Sequence, residues 1–197
     1  MSQHRDRDGQ DAERRRPTVA HRLPGDPTRE ELIARIIRVD HAGEYGARRI
    51  YEGQLAVLRR APSGPVIAEM HRQEVRHLEA FEGLIGDRRV RPTALQPLWH
   101  VAGFALGAAT ALLGEKAAMA CTVAVEEVID EHYARQIERL GEDEAELRDA
   151  LAGFRADELA HRDTGLAHGA GEAPGHAALS AAIKAGSRLA IWLSERV

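Results

Sequence analysis

Two short motifs in this sequence combine a carboxylate with an imidazole at a spacing that suits metal binding. They are Glu74-x-x-His77 and Glu158-x-x-His161. Residues three apart lie on the same face of an α-helix, so the two side chains of each motif can bind one metal ion. Motifs this short also arise by chance, and a helical bundle with surface carboxylates and unrelated histidines would contain them too.

A lone glutamate before each motif strengthens the interpretation as a metal site. Glu44 and Glu126 precede the two motifs by 30 and 32 residues, and each lies within the apolar pattern of an earlier helix. Glu127 points about 100° away from Glu126 on an ideal helix, so the two neighbours cannot play the same role. The resulting order is typical of four-helix di-iron and di-manganese carboxylate proteins. Four carboxylates and two imidazoles suit iron or manganese better than zinc.

Other polar side chains on the same helical stripes are candidates for contacts around the metal ligands. Metal-bound histidines usually donate their second ring N–H to a carboxylate or carbonyl. Helical spacing makes Asp40, Asp130 and Asp163 candidates for this role. Each could equally be a solvated surface acid, and Asp163 fits that alternative better. Tyr133 could donate a hydrogen bond or relay protons, or it could be an ordinary buried tyrosine. Tyr133 and His132 are therefore the candidates for an auxiliary catalytic role.

Amphipathic helices are predicted wherever apolar residues recur every three or four positions. A capping box formed by Thr28 and Glu31 begins the first helix. The two halves of the chain repeat one pattern, a helix with a lone glutamate followed by a helix with Glu-x-x-His. We therefore expect an all-α bundle of four core helices with two accessory helices. The predicted helices cover about 28–60, 66–85, 93–114, 115–140, a stretch from 143 onward, and 177–195.

The segment 93–114 contains no formally charged residue. It approaches the length of a membrane span, but it includes Gln96, Pro97 and His100 and is rich in alanine and glycine. We therefore expect a helix that lies on a bilayer or dips into it, rather than one that crosses it. A helix buried in the bundle or in a dimer interface is the alternative.

Composition narrows the other classes of function. A chain of 197 residues fits one domain, and a net charge of −4 without long basic runs argues against a nucleic-acid partner. Cys121 is the only cysteine, which excludes a disulfide framework and a cysteine zinc site. Residues 1–27 carry charges of both signs, three prolines and no apolar stretch, so they predict a disordered tail before a domain at 28–197. Their acidic residues argue against a mitochondrial presequence.

Four long segments carry a family resemblance. They are RIIRVDHAGEYGARRIY at 35–51, RPTALQPLWHVAGFALGAATALLG at 91–114, MACTVAVEEVIDEHY at 119–133 and FRADELAHRDTGLAHG at 154–169. Together they resemble the demethoxyubiquinone hydroxylase family of ubiquinone biosynthesis, over roughly residues 32–197. Two positions depart from the family pattern, His71 where an aromatic residue is expected and Trp192 where tyrosine is common.

The resemblance implies a ferritin-like di-iron monooxygenase that acts on a polyprenylated methoxy-methyl benzoquinol. Dioxygen would be the co-substrate, and electrons would come ultimately from NADH. The family is membrane-associated and works with other ubiquinone-pathway proteins. This implies a peripheral position at the cytoplasmic face of a bacterial inner membrane, or at the matrix side of the mitochondrial inner membrane in a eukaryote. The short, acid-containing tail fits a bacterial member of the family better. Whether the chain forms a homo-oligomer stays open. The implied iron ligands are Glu44, His77, Glu126 and His161, with Glu74 and Glu158 bridging.

Two functions of other classes stay open at this stage. A ferritin-like iron-handling protein would explain the ligand pattern but not the uncharged segment. A non-catalytic helical module that binds quinone or lipid at a membrane would keep its binding when the metal ligands are substituted.

Overall fold

The computed structural model describes residues 25–197, and this range contains six α-helices and no β-strand. The all-α prediction is therefore confirmed. The predicted disordered tail at 1–27 lies almost entirely outside the described residues. The helices are α1 (Arg29–Leu58), α2 (Gly64–Arg88), α3 (Gln96–Leu112), α4 (Glu115–Arg139), α5 (Ala145–Ala167) and α6 (His176–Ser194).

Local sequence signals explain most of the helix ends. Thr28 caps α1 as predicted, because its hydroxyl accepts a hydrogen bond from the Glu31 amide and the Glu31 carboxylate accepts one from the Thr28 amide. Arg89 adopts a left-handed conformation with φ of 53° and ends α2. The prediction that a helix starts near Asp143 was early by two residues, since a short 3-10 turn at Glu142–Glu144 precedes α5.

Helices α1, α2, α4 and α5 form the central bundle, in which α1 packs on α2 and α4 packs on α5. Apolar layers fill both ends of this bundle. One layer contains Leu58, Ile67 and Met119, and the other contains Ile37 and Leu151. A polar centre lies between the two layers, so apolar side chains shield it from water along the bundle axis.

Helices α3 and α6 cover one side of the bundle. Helix α3 approaches α1 very closely at two glycines. A Cβ atom added at Gly107 would lie 1.9 Å from the Ile50 carbonyl oxygen, and one added at Gly53 would lie 2.2 Å from the Phe104 carbonyl oxygen. Only glycine fits at such contacts. The uncharged segment therefore buries one face against α1 and leaves its other face exposed. None of the helices described for residues 25–197 is long and apolar enough to cross a membrane.

Candidate metal centre

Four helices bring all six predicted ligand residues to the polar centre of the bundle, where each is at most 3% exposed. They form two overlapping groups, and within each group one ligand atom of every member lies within 4.8 Å of the others. Glu74 and Glu158 belong to both groups. The geometry therefore fits two metal ions that share two carboxylates. The first group also contains Glu44 and His77, and the second also contains Glu126 and His161.

Several buried carboxylate oxygens in this cluster lack a hydrogen-bond partner. They are both oxygens of Glu74 and one oxygen each of Glu44 and Glu126. Glu74 Oε1 lies 3.1 Å from His161 Nδ1, at angles that do not make a hydrogen bond. Buried carboxylates are costly unless a cation balances their charge. The orphaned oxygens thus fit a site built to bind positive ions.

The two histidines turn the same ring nitrogen toward the carboxylates. His77 Nδ1 lies 3.1 Å from Glu158 Oε1 and 3.4 Å from Glu44 Oε2. His161 Nδ1 lies 3.1 Å from both Glu158 Oε2 and Glu74 Oε1. Nδ1 is therefore the candidate metal-binding atom of each imidazole, and Nε2 points out of the cluster.

Each outward nitrogen finds a partner on the opposite helix. His77 Nε2, on α2, donates to Asp157 Oδ2 on α5 at 3.0 Å. His161 Nε2, on α5, donates to Gln73 Oε1 on α2. Each acceptor is the residue immediately before the glutamate of the other motif. Sequence reasoning missed both partners, although their matching positions in the two motifs were a usable signal.

The three aspartates that we expected to accept hydrogen bonds from the metal-binding histidines pair with other residues. That prediction is therefore wrong. Asp40 lies one helical turn before Glu44 and Asp130 lies one turn after Glu126, so each faces other side chains at another level of the bundle. Asp163 lies at the surface, as its alternative interpretation held. The observed partners are Gln136 for Asp40, Arg155 for Asp130 and Arg162 for Asp163.

Two buried tyrosines donate hydrogen bonds to the lone glutamates. The Tyr133 hydroxyl donates to Glu44 Oε1, and the Tyr51 hydroxyl donates to Glu126 Oε1 at 2.9 Å. Burial, and then the charge of the contacted glutamate, raises the pKa of each tyrosine well above its ordinary value. Both side chains therefore remain protonated donors. Tyr51 was missed, although it lies on the same stripe as Glu44, two turns along α1.

His132 lies in a separate polar network. It accepts a hydrogen bond from the Gln136 amide at 2.8 Å, and its Nε2 lies 3.5 Å from Asp40 Oδ1. His132 and Gln136 line a small cavity of about 100 Å³, which Glu195 also lines. The proposed auxiliary role of His132 stays a prediction.

Electrostatics in the cluster favour uptake of cations in exchange for protons. Burial, and then the charge of Glu158, raises the pKa of Glu74 and of Glu126 well above the ordinary value. Burial alone would lower the pKa of His77, but its contacts with the carboxylates of Glu158 and Glu44 outweigh burial and raise the value to about 11. The pKa of Glu158 falls to about 2, since its histidine partners outweigh the effect of burial. Metal ions would displace protons held by these groups.

A largely apolar cavity of about 380 Å³ lies between α1, α3, α4 and α6. Its wall includes Gly43 on α1 and Val125 on α4, which directly precede Glu44 and Glu126 in the chain. Trp99 on α3 also lines it. The cavity thus adjoins the two helices that carry the lone glutamates.

Fold and site together define a ferritin-like helical bundle whose buried carboxylates and histidines fit two metal ions. The sequence model of the family described as "Ubiquinone biosynthesis protein COQ7" matches residues 31–194. The chain belongs to this family, which confirms the resemblance noted in the sequence.

Curated relatives agree with this assignment. The chain is 61% identical over 183 residues to the 3-demethoxyubiquinol 3-hydroxylase of Rhodospirillum rubrum, covering 92% of this chain and 86% of that protein. It is 54% identical over 190 residues to the NADPH-dependent 3-demethoxyubiquinone 3-hydroxylase, mitochondrial, of Homo sapiens, covering 93% and 88%. It is 42% identical over 183 residues to the 5-demethoxyubiquinone hydroxylase, mitochondrial, of Saccharomyces cerevisiae, covering 84% and 78%.

Proposed function

We propose that this chain hydroxylates the ring of a demethoxyubiquinol with dioxygen, as a step in ubiquinone biosynthesis. The substrate is a polyprenylated methoxy-methyl benzoquinol, which gains a hydroxyl group on the ring carbon next to its methoxy group. The observation that carries the proposal is the pair of overlapping ligand groups that share Glu74 and Glu158. They occur in a chain that is 61% identical to a protein named 3-demethoxyubiquinol 3-hydroxylase.

The six residues of the cluster are the proposed iron ligands. Two divalent ions would balance the four negative charges of the carboxylates, and the two imidazoles are neutral. The buried site would then have no net charge, which lowers the electrostatic cost of burying it. When bound, two irons would supply the electrons and Lewis acidity that activate dioxygen. In this proposal Glu44 and His77 would hold one iron, Glu126 and His161 would hold the other, and Glu74 and Glu158 would serve both.

Protein side chains around the cluster would fix the orientation of the ligands. Tyr133 and Tyr51 each hold one oxygen of a lone glutamate, which leaves the other oxygen free for a metal. Of the two auxiliary candidates, Tyr133 has the stronger support, because its hydroxyl contacts Glu44. His132 contacts Asp40 and Gln136 instead.

The apolar cavity is the proposed binding site for the quinol. Its volume of about 380 Å³ lies within the range of small-molecule pockets, and its mostly aliphatic wall suits a substituted ring with the start of a polyprenyl tail. The cavity lies between the bundle and the accessory helices α3 and α6. A substrate in it would therefore approach the cluster from the side of the uncharged segment.

The same accessory helices are the proposed contact with the membrane. Helix α3 and the residue after it expose Leu98, Val101, Leu112 and Leu113, and α6 exposes Leu189. Exposed apolar side chains on neighbouring helices are typical of surfaces that enter the interfacial region of a bilayer. We place the protein peripherally, on the cytoplasmic face of a bacterial inner membrane, where it can take up a lipid-soluble quinol and meet other ubiquinone-pathway proteins.

Reducing equivalents for the reaction are proposed to come from a nicotinamide nucleotide. The resemblance implied NADH, whereas the human relative is named as NADPH-dependent. We keep NADH as the proposed source of electrons, and the experiment described next compares NADH with NADPH.

The proposed function is tested on protein purified without oxygen and loaded with ferrous iron. Iron per chain is counted first, and a short-tailed demethoxyubiquinol and ¹⁸O₂ are then added. We expect two irons per chain and a quinol product that carries one ¹⁸O atom. Runs with the oxidised quinone and either NADH or NADPH identify the reductant. Two irons without labelled product would favour an iron-handling protein over a hydroxylase.

Adjacent glutamates provide a matched control for the ligand assignment. Glu126→Ala should lose iron and product, because it removes a proposed ligand. Glu127→Ala should keep both, because Glu127 points away and pairs with Lys184 on α6. Full hydroxylation by the Glu126→Ala variant would refute the proposed site.

A further inference from the structure

Two sets of helical glycines differ in what surrounds them. At Gly53, Gly103 and Gly107, an added Cβ atom would collide with the backbone of the neighbouring helix. At Gly43 and Gly46 on α1, an added Cβ atom would meet no atom within 4 Å. Both of these glycines line the apolar cavity. The first group is explained by close helix packing, and the second is not.

Backbone conformation does not explain Gly43 and Gly46 either. Both lie in the interior of α1, where glycine lowers helix stability relative to alanine. Neither has the positive φ that favours glycine. In the described range, the glycines with positive φ are Gly25, Gly114, Gly169 and Gly175.

The feature that remains is the space in front of these two residues. Gly43 and Gly46 are three positions apart, so they lie on one face of α1. Gly186 lines the cavity from α6 and also has no atom within 4 Å of an added Cβ. The cavity is therefore wider because these glycines place no side chains on two of its walls. An aliphatic chain is thinner than a substituted ring, so this width suits the ring.

We propose that Gly43 and Gly46 are specificity-determining residues that keep the cavity wide enough for the methoxy- and methyl-substituted ring. This inference rests on the proposed function, since it names how the same substrate is accommodated. One methyl group in an apolar pocket typically changes discrimination about 10–200-fold. A methyl group at position 43 or 46 would therefore weaken ring binding without disturbing the packing of the helices.

The test uses iron-loaded protein and two independent readouts. The first is the Kd of a short-tailed demethoxyubiquinone without oxygen, measured by quenching of Trp99, which lines the cavity. Trp192→Phe in the background leaves Trp99 as the single tryptophan. The second is kcat/KM for the corresponding quinol. Gly43→Ala and Gly46→Ala should each raise Kd and lower kcat/KM at least tenfold. They should also raise Tm by about 2–4 °C, because alanine is the better helix former.

Exposed helical glycines away from the cavity supply the control. Gly83→Ala on α2 and Gly153→Ala on α5 also place a methyl group in open space. They should raise Tm by a similar amount and leave Kd and kcat/KM unchanged. An analogue that lacks the methoxy group should bind the Gly46→Ala variant with a smaller loss of affinity than the full ring.

The inference is overturned if the α1 variants bind the quinone within twofold of wild type, or if they lower Tm and so reveal a packing role. Failure of the proposed function is a different result. It would be a wild-type protein that binds the quinone, with affinities that respond to the α1 variants as expected, but forms no hydroxylated product.

Discussion

His77 donates a hydrogen bond across the bundle to Asp157, with 3.0 Å between Nε2 and Oδ2. The reciprocal contact joins His161 to Gln73. The two contacts link α2 and α5 on either side of the cluster and fix the rings so that both Nδ1 atoms face the carboxylates. They are not equivalent, because Asp157 carries a charge and Gln73 does not. The two proposed ligand imidazoles should therefore differ in how strongly they donate electrons to a metal ion.

Asp157→Ala is expected to weaken iron binding about 10–100-fold, the usual effect of removing a hydrogen-bond partner of a ligand histidine. Asp157→Asn should weaken it less, because an amide oxygen still accepts the bond. The measurement is iron per chain in competition with a chelator. Asp163→Asn on the same helix is the control, since Asp163 is paired with Arg162 at the surface. Wild-type iron affinity in Asp157→Ala would show that the contact does not position His77.

Glu74→Gln is expected to make the metal-free protein more stable than wild type at neutral and higher pH. Burial, and then the charges of Glu158 and Glu44, raises the pKa of Glu74 well above its ordinary value of 4.5. A carboxyl group with a raised folded pKa contributes stability that is fully present below its unfolded pKa. That stability is lost as pH rises through the folded pKa. Metal-free wild type should therefore lose stability from about pH 5 upward, and Glu74→Gln should lose less.

Urea unfolding of chelator-treated protein at pH 6, 7 and 8 checks this expectation. Glu69→Gln is the control on the same helix, because the Glu69 carboxylate is solvent-exposed and pairs with Arg72. Added ferrous iron should stabilise wild type more at pH 8 than at pH 6, since fewer protons then compete for the ligands. The same pH slope in wild type and Glu74→Gln would contradict the argument.

Tyr51→Phe is expected to destabilise the protein by about 1–3 kcal/mol, because it leaves a buried oxygen of Glu126 without its donor. Tyr133→Phe should have a similar effect through Glu44. Urea unfolding of iron-loaded protein measures both. Tyr45→Phe is the control, because the Tyr45 hydroxyl bonds to His100 near the surface. Changes below about 0.5 kcal/mol in both variants would show that the two hydroxyls do not support the ligands.

Sequence pattern predicted the fold well because its signals are local. The capping box at Thr28 and the recurrence of apolar residues determine where the helices run, with ends that differ from the structure by a few residues. The six candidate ligands were predicted in the same way. Glu74 and His77 share a face by spacing alone, and an acid within an apolar stripe, such as Glu44, requires a reason for its burial.

Contacts between helices could not be predicted in the same way. The pairing of His77 with Asp157 depends on how α2 and α5 are rotated and at what height they meet, and neither quantity is encoded in one helix. The same limit explains why Asp40 was proposed as a histidine partner but pairs with Gln136. The cavity was not predicted, because part of it is the space in front of Gly43 and Gly46, which have no side chains to fill it.

The C-terminal end of α3 and the residue after it expose two leucines. Leu112 and Leu113 are 75% and 67% exposed, and burying a leucine is worth about 1.5–3 kcal/mol. If these side chains enter a bilayer, Leu112→Glu with Leu113→Glu should reduce binding to liposomes of bacterial lipids at least tenfold, measured by co-sedimentation. Unfolding midpoints should stay unchanged, since neither side chain is buried. Leu166→Glu on α5, which is 49% exposed away from α3 and α6, is the matched control and should bind normally. Equal binding by the double variant and wild type would exclude this end of α3 as the membrane contact.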